Sequence, residues 1–219
     1  MRELRAGLWH WQADHPGWEP GEAWPQQVSS YAVDDGARLL LFDPLSVPDE
    51  LLRLAADREP VVVLTSPWHE RDAETLVRQL GAPVYAPPPD MAEDLMRKYG
   101  ITAEQAGDGS PDLVWLRKEG GGEWHRYGAG DRLSLGVRAF PGREPNDLVL
   151  WVESIEAVIA GDTLVDFGTG FGIADWLRAD VTPEQIVEGL QPLLALPFEH
   201  VLPTHGAPTD RAALERALA

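Results

Sequence analysis

VVVLTSPWHERDAETL, residues 61–76, decides how the rest of the chain is read. Its first half is a continuous apolar run, the pattern of a strand covered on both faces. Its second half reads as a helix. Between them lie Trp68, His69, Glu70, Arg71 and Asp72. Layered α/β folds place their chemistry on the loops that follow strand ends, which makes this cluster a candidate site. The ordinary alternative is a helix start. Ser66 then caps the helix, Pro67 fills its first position, and Glu70, Asp72 and Glu74 favour its positive end. Trp68 reads as core or as pocket wall.

Three more apolar runs end in polar residues: LLLFDP (39–44), AVIAGD (157–162) and HVLPTHG (200–206). Four such ends suggest one shared site built from both halves of the chain. Helices are predicted at VPDELLRLAAD (47–57), DAETLVRQL (72–80) and MAEDLMRKY (91–99). Gly81 and Gly100 close the last two. A further helix is predicted from Thr182, as N-cap, and Pro183, at the first position, with another at the C-terminal end. From Leu113 to Phe140 the Gly-rich turns and alternating apolar residues predict strands and hairpins. A hairpin around SIE joins DLVLWVE to AVIAGD.

The 219 residues suffice for one domain with a real core, read as a single unit over 1–219. Residues 1–28 form a Trp- and His-rich segment expected to pack onto it. His10 and His15 lie there, as packing residues or as groups leaning over the pocket. His125 and His200 read as strand residues.

A formal charge of −18 makes nucleic acid and anionic membrane surfaces poor partners. A small molecule, anionic if a local basic pocket receives it, is the expected ligand. No run approaches a membrane span, and the N-terminus lacks the apolar core of a secretory signal, so the expected location is the cytoplasm. The oligomeric state is left open. With no cysteine, any metal must be held by His, Asp and Glu.

The pieces together resemble the metallo-β-lactamase superfamily, from about Ser29 to about Pro208. LLLFDP resembles the strand that ends in an aspartate before the first helix. VVVLTSPWHERDA stands where members carry Thr-His-x-His-x-Asp-His. GAPVYAP (81–87) follows a helix later. FPGREPNDLVLWVESIEAVIAGDTL (140–164) is similar to Pro-Gly-His-Thr-Pro-Gly, a hairpin and Gly-Asp-Thr-Leu. VLPTHGAP (201–208) is similar to Pro-Gly-His-Gly. The resemblance implies an α+β fold, a four-layer αββα sandwich. It also implies a hydrolase of ester, thioester or lactam type, with one or two metals, usually zinc, that activate a bound water.

The chain departs from that pattern at most ligand positions. Aligned without gaps, Ser66 and Trp68 replace the first two histidines, and Glu70 and Arg71 take the Asp-His pair. Shifted by one, His69 takes the second His position, with Arg71 and Asp72 at the pair. Both registers stay open. Arg143 stands at the next histidine, and only Asp162 and His205 match outright. Asp162, His205 and one of His69, Glu70 or Asp72 could supply three ligands to one weakly bound divalent metal, zinc in the first instance. Arginine opposes this: at about 4 Å and an effective dielectric of about 20, a unit charge pair is worth about 4 kcal/mol, and a divalent ion beside Arg143 meets about twice that. The expectation is therefore no metal or one weak site, with Arg71 and Arg143 neutralising the carboxylates left behind. If the chain is catalytic, Asp162 and His205 act as ligands or as a base pair. His69 then assists, and Arg143 stabilises an oxyanion or a substrate carboxylate. The other readings are a metabolite-binding protein and a scaffold. The glycines of GDTLVDFGTGFGIADW (161–176) read as a flap or a plain surface loop, with Phe167, Phe171 and Trp176 as possible wall residues.

Overall fold

The computed structural model describes residues 1–178 and 180–219. Two sheets lie face to face with helices outside each. The first has seven strands in sequence order: β1 (Arg2–Arg5), β2 (Leu8–Asp14), β3 (Gln27–Asp34), β4 (Arg38–Phe42), β5 (Glu59–Val63), β6 (Val84–Ala86) and β7 (Trp124–Arg126). Between them run α1 (Asp49–Leu54), α2 (Ala73–Leu80), α3 (Ala92–Tyr99) and α4 (Ala103–Ala106). The chain then enters the second sheet through β8 (Arg132–Leu133), β9 (Val137–Glu144), β10 (Asp147–Val152) and β11 (Ala157–Gly161). A small hairpin follows, β12 (Leu164–Val165) with β13 (Gly172–Ile173), then α5 (Pro183–Leu190). The second sheet is completed by β14 (His200–Pro203), parallel to β11, and β15 (Thr209–Asp210); α6 (Arg211–Ala217) ends the fold. Among the described residues no helix is long and apolar enough to cross a membrane.

Successive strand residues point to opposite faces, so a strand covered on both sides must be apolar at every position. In β4, Leu40 and Phe42 face the second sheet while Leu39 and Leu41 face α1 and α2. In β10, Leu148, Leu150 and Val152 fill the space between the sheets, and Val149 and Trp151 pack towards α5 and α6. Three buried clusters therefore separate four layers, the predicted αββα sandwich.

Two local predictions need correction. Leu113–Lys118 is not a strand but a run of turns: Leu113 has φ +53°, and Leu116 and Arg117 donate back to its carbonyl. Residues 1–28 do more than pack on the body, because β1 and β2 extend the first sheet, with Leu8 opposite Val33 and Asp14 opposite Gln27. Gly81 and Gly100 end α2 and α3 in the left-handed conformation, and Thr182 caps α5 through a reciprocal pair with Gln185.

Candidate functional site

β4 and β5 are parallel neighbours in one sheet, and β11 and β14 in the other. Their C-terminal ends meet at one edge of the sandwich. There they bring Asp43, the Thr65–Arg71 segment, Asp162 and His205 together, and the β9–β10 turn adds Arg143 and Asp147. His69, Arg71, Arg143, Asp162 and His205 floor a cleft of about 480 Å³, with Trp24, Trp68, Lys98 and Trp176 among its walls, and Asp43 and Asp147 are buried behind them.

Close approach at this edge depends on two glycines. A Cβ at Gly142 would stand 2.1 Å from the Asp147 carbonyl oxygen, and one at Gly161 would stand 2.9 Å from Asp147 Oδ1. Asp43 and Arg71 both hold positive φ, +44° and +37°. Such backbone strain in non-glycine residues concentrates at functional sites.

His69 is central. Pro67–His69 forms a short 3-10 turn, and the ring of His69 drops between two carboxylates. Its Nδ1 is 3.2 Å from Asp43 Oδ2, and its Nε2 is 3.2 Å from Asp162 Oδ1. Burial alone would depress its pKa, but Asp162 and Asp43 outweigh burial and lift it to about 9. At neutral pH the ring is an imidazolium. Asp43 is fixed in turn by the Thr65 amide and hydroxyl, at 2.8 and 2.7 Å.

Burial would raise the Asp162 pKa, but His69, His205 and Arg143 hold it well below the ordinary carboxylate range. Its Oδ2 accepts from Trp68 Nε1 at 3.0 Å and from Arg143 Nη2 at 3.4 Å. Its Oδ1 lies near His69 and, at 3.4 Å, His205 Nε2, yet it is aligned for a hydrogen bond to neither. Arg143 Nε faces Asp147 Oδ2 at 3.1 Å. Asp147 is fully buried, and burial together with Asp162 pushes its pKa up.

His205 behaves oppositely to His69. Burial pushes its pKa down to about 4, only partly countered by Asp162, so the ring is neutral at pH 7. Trp24, Phe167 and Trp176 surround it edge-on at 5.2–6.1 Å, and its Nδ1 has no partner among the described residues.

Other predicted residues lie elsewhere or work differently. Glu70 is turned away from the cleft: its Oε2 accepts from the Leu113 amide and Trp115 Nε1, at 2.7 and 3.0 Å. Asp72 is turned away too and holds the Ser46 amide at 2.5 Å. Neither stands with His69, so neither is placed as a metal ligand. Arg71 reaches the cleft but donates to the Ser29 and Asp43 carbonyls rather than to a carboxylate. Ser66 caps nothing; its hydroxyl is buried without a partner. Phe171 packs on the α5–α6 side instead of lining the cleft. His15 lines the cleft, whereas His10 bonds Ser29 and stacks on Tyr31.

Sequence reasoning assigned no role to Asp147, Lys98 or Trp24 and gave Asp43 only a place in the fold. A carboxylate set inside an otherwise apolar run was the available signal for Asp43 and Asp147. Lys98 and Trp24 carried none.

No family model and no curated protein matches this sequence. Solved structures do. DIM-1 metallo-β-lactamase superposes with a TM-score of 0.62 at 14% identity, over 99% of this chain and 93% of its own. A metallo-β-lactamase from Pontibacter korlensis gives 0.61 at 17%, over 99% and 95%. The chain has the metallo-β-lactamase fold. A third similar structure with this fold, TTHA1623 in a di-iron-bound form, gives 0.57 at 28%, over 88% of this chain and 94% of its own.

Proposed function

We propose that this chain uses a hydrolase-type metallo-β-lactamase fold as a small-molecule site that works without a resident metal. The reading is supported by one observation above all: His69 stands between Asp43 and Asp162 as an imidazolium.

The metal implied by the fold meets a poor set of donors. The unpaired Asp162 Oδ1 is the kind of oxygen a metal would want. Beside it, however, His69 would have to give up a proton that Asp43 and Asp162 hold on its ring. The Arg143 guanidinium covers the other oxygen of the same carboxylate and cannot ligate. Among the described residues no three His, Asp or Glu side chains are arranged to hold a metal ion. The side-chain cations already supply the charge that two buried carboxylates need.

Metal analysis of protein purified without chelator tests this. The expected result is well below one metal per chain and a melting temperature that neither EDTA nor added zinc shifts, since any ion bound to the native state would raise it. Near-stoichiometric zinc, iron or manganese would overturn the proposal.

One observation favours a hydrolytic second reading. His205 is neutral, with an unpartnered Nδ1, and shares the cleft with Arg143. It could take a proton from water while Arg143 stabilises the oxyanion. That reading expects hydrolysis of an activated ester in EDTA, lost in His205→Ala. No turnover by the parent protein would leave the binding role alone.

A further inference from the structure

The floor of the cleft does not balance in charge. Its cations are His69, Arg71 and Arg143. Arg71 is spent on neutral acceptors, the Ser29 and Asp43 carbonyls and the Ser30 hydroxyl. Its anions are Asp43, Asp162 and Asp147. The last is the poorest charge carrier of the three, being fully buried beside Asp162. Of these carboxylates only Asp162 lines the cavity, beside His69, Arg71 and Arg143, so positive charge faces the cleft at its floor.

Arg143 is the place where that charge can be met. Nε and Nη2 face Asp147 and Asp162, whereas Nη1 has no protein partner among the described residues. The guanidinium is held at 5.6 Å from the Trp68 ring centre and 5.5 Å from that of Trp176. A cation fixed between two indoles and two carboxylates is already oriented, so little freedom is lost when an anion binds it.

The rim has the opposite character. Lys98 is consumed by Asp90 at 2.7 Å and Glu144 at 3.1 Å. Asp112 lines the same wall and accepts from Ser110, with no cation paired to it among the described residues. A second negative charge reaching the rim would meet carboxylates. Between floor and rim the walls are aromatic and apolar, formed by Trp24, Trp68, Trp176, Leu95 and Tyr99. A cleft of about 480 Å³ is within the size range of small-molecule sites.

We propose that the cleft takes a singly charged aromatic carboxylate, with its carboxylate on Arg143 and its ring among the tryptophans. This rests on the metal-independent reading above and names the ligand class for the same site. The indoles supply ring contacts that a bare carboxylate cannot use. The guanidinium supplies a paired charge that a neutral ring cannot use.

Isothermal titration in EDTA tests it with phenylacetate, acetate, benzyl alcohol and inorganic pyrophosphate as probes. Phenylacetate is expected to bind at least about tenfold more tightly than acetate or benzyl alcohol, and pyrophosphate not to compete. Arg143→Gln is expected to remove the advantage of phenylacetate over benzyl alcohol. If that variant does not fold, Trp176→Leu is expected to weaken phenylacetate and leave acetate unchanged. Equal binding of phenylacetate and benzyl alcohol would overturn the ligand class, as would competition by pyrophosphate. With the protein still indifferent to metal, the metal-independent reading would then stand alone. Phenylacetate binding that appears only with added zinc would instead overturn that reading, and this one with it.

Discussion

At the floor of the cleft Asp43, His69, Asp147 and Asp162 are each at most 6% exposed; His69 faces the carboxylates of Asp43 and Asp162, and Arg143 those of Asp147 and Asp162. Across the cleft α3 exposes Met96 and Tyr99. Lys98, whose side chain is 2% exposed, ties it to the body through an ion pair. Both regions use ion pairs, but their context differs. In the floor His69 and the carboxylates on either side of it are nearly desolvated, so a charge left unpaired there has little water to turn to. At the rim Asp90 remains partly exposed, and Glu144 also has Arg178 at 3.2 Å. Burial, more than the number of pairs, decides what a lost partner costs.

The largest effect is therefore expected from His69→Gln, which keeps a polar side chain and removes the charge. Two buried carboxylates then lack their shared cation, a loss of about 3–5 kcal/mol near pH 6. For a chain of this size that lowers the melting temperature by roughly 10 °C. The sign of its pH dependence follows from the raised pKa. His69 binds its proton more tightly folded than unfolded, so its contribution is complete below about pH 6.5. It fades as pH rises through the folded value of about 9. Calorimetry at pH 6 and pH 9.5 should show the gap between parent and variant narrowing at the higher pH. A constant gap would mean that His69 is not the cation of the floor.

Lys98→Met should act on the rim and leave the floor intact. Its ammonium bridges α3 and the β9–β10 turn, and the apolar replacement keeps the stem buried. The expected loss is about 1–2 kcal/mol, with amide exchange accelerated in Ala92–Tyr99 rather than in β4, β5 or β11. Equal acceleration in the core strands would erase the distinction between floor and rim.

The layers were legible in sequence because they are written in periodicity. LLLFD and VVVLT are apolar at every position, which only strands covered on both faces require, and Gly81, Gly100 and Thr182–Pro183 mark helix ends by local chemistry. Asp162 and His205 were legible because they follow apolar strands and match the motifs of the family that the chain resembles. The place of His69 was not. In a 3-10 turn of Pro67–His69 a one-residue shift rotates a side chain by about a third of a turn, and no repeat surrounds it to fix the register. The sequence called for arginines to neutralise the old carboxylates. The structure gives that task to His69 with Arg143, because Arg71 is drawn to the carbonyls of β3 and Asp43. The Leu113–Lys118 error has a tertiary cause as well: Glu70 captures the Leu113 amide and the Trp115 indole and so holds the segment in turns.

The smallest effect is expected where a candidate ligand has turned outward. Burial raises the Glu70 pKa, although the Leu113 amide and the Trp115 indole favour its charged form. Glu70→Gln keeps an oxygen that can accept from one or both donors and removes a charge that is costly to bury. The two changes oppose each other, and the net effect is expected within about 1 kcal/mol. Metal content and phenylacetate affinity should equal those of the parent protein. A loss of affinity as large as that of Arg143→Gln would place the Glu70 carboxylate inside the cleft after all. The segment Leu113–Trp115 would then have to release it when ligand binds, and the boundary between floor and rim would run through Glu70 rather than past it.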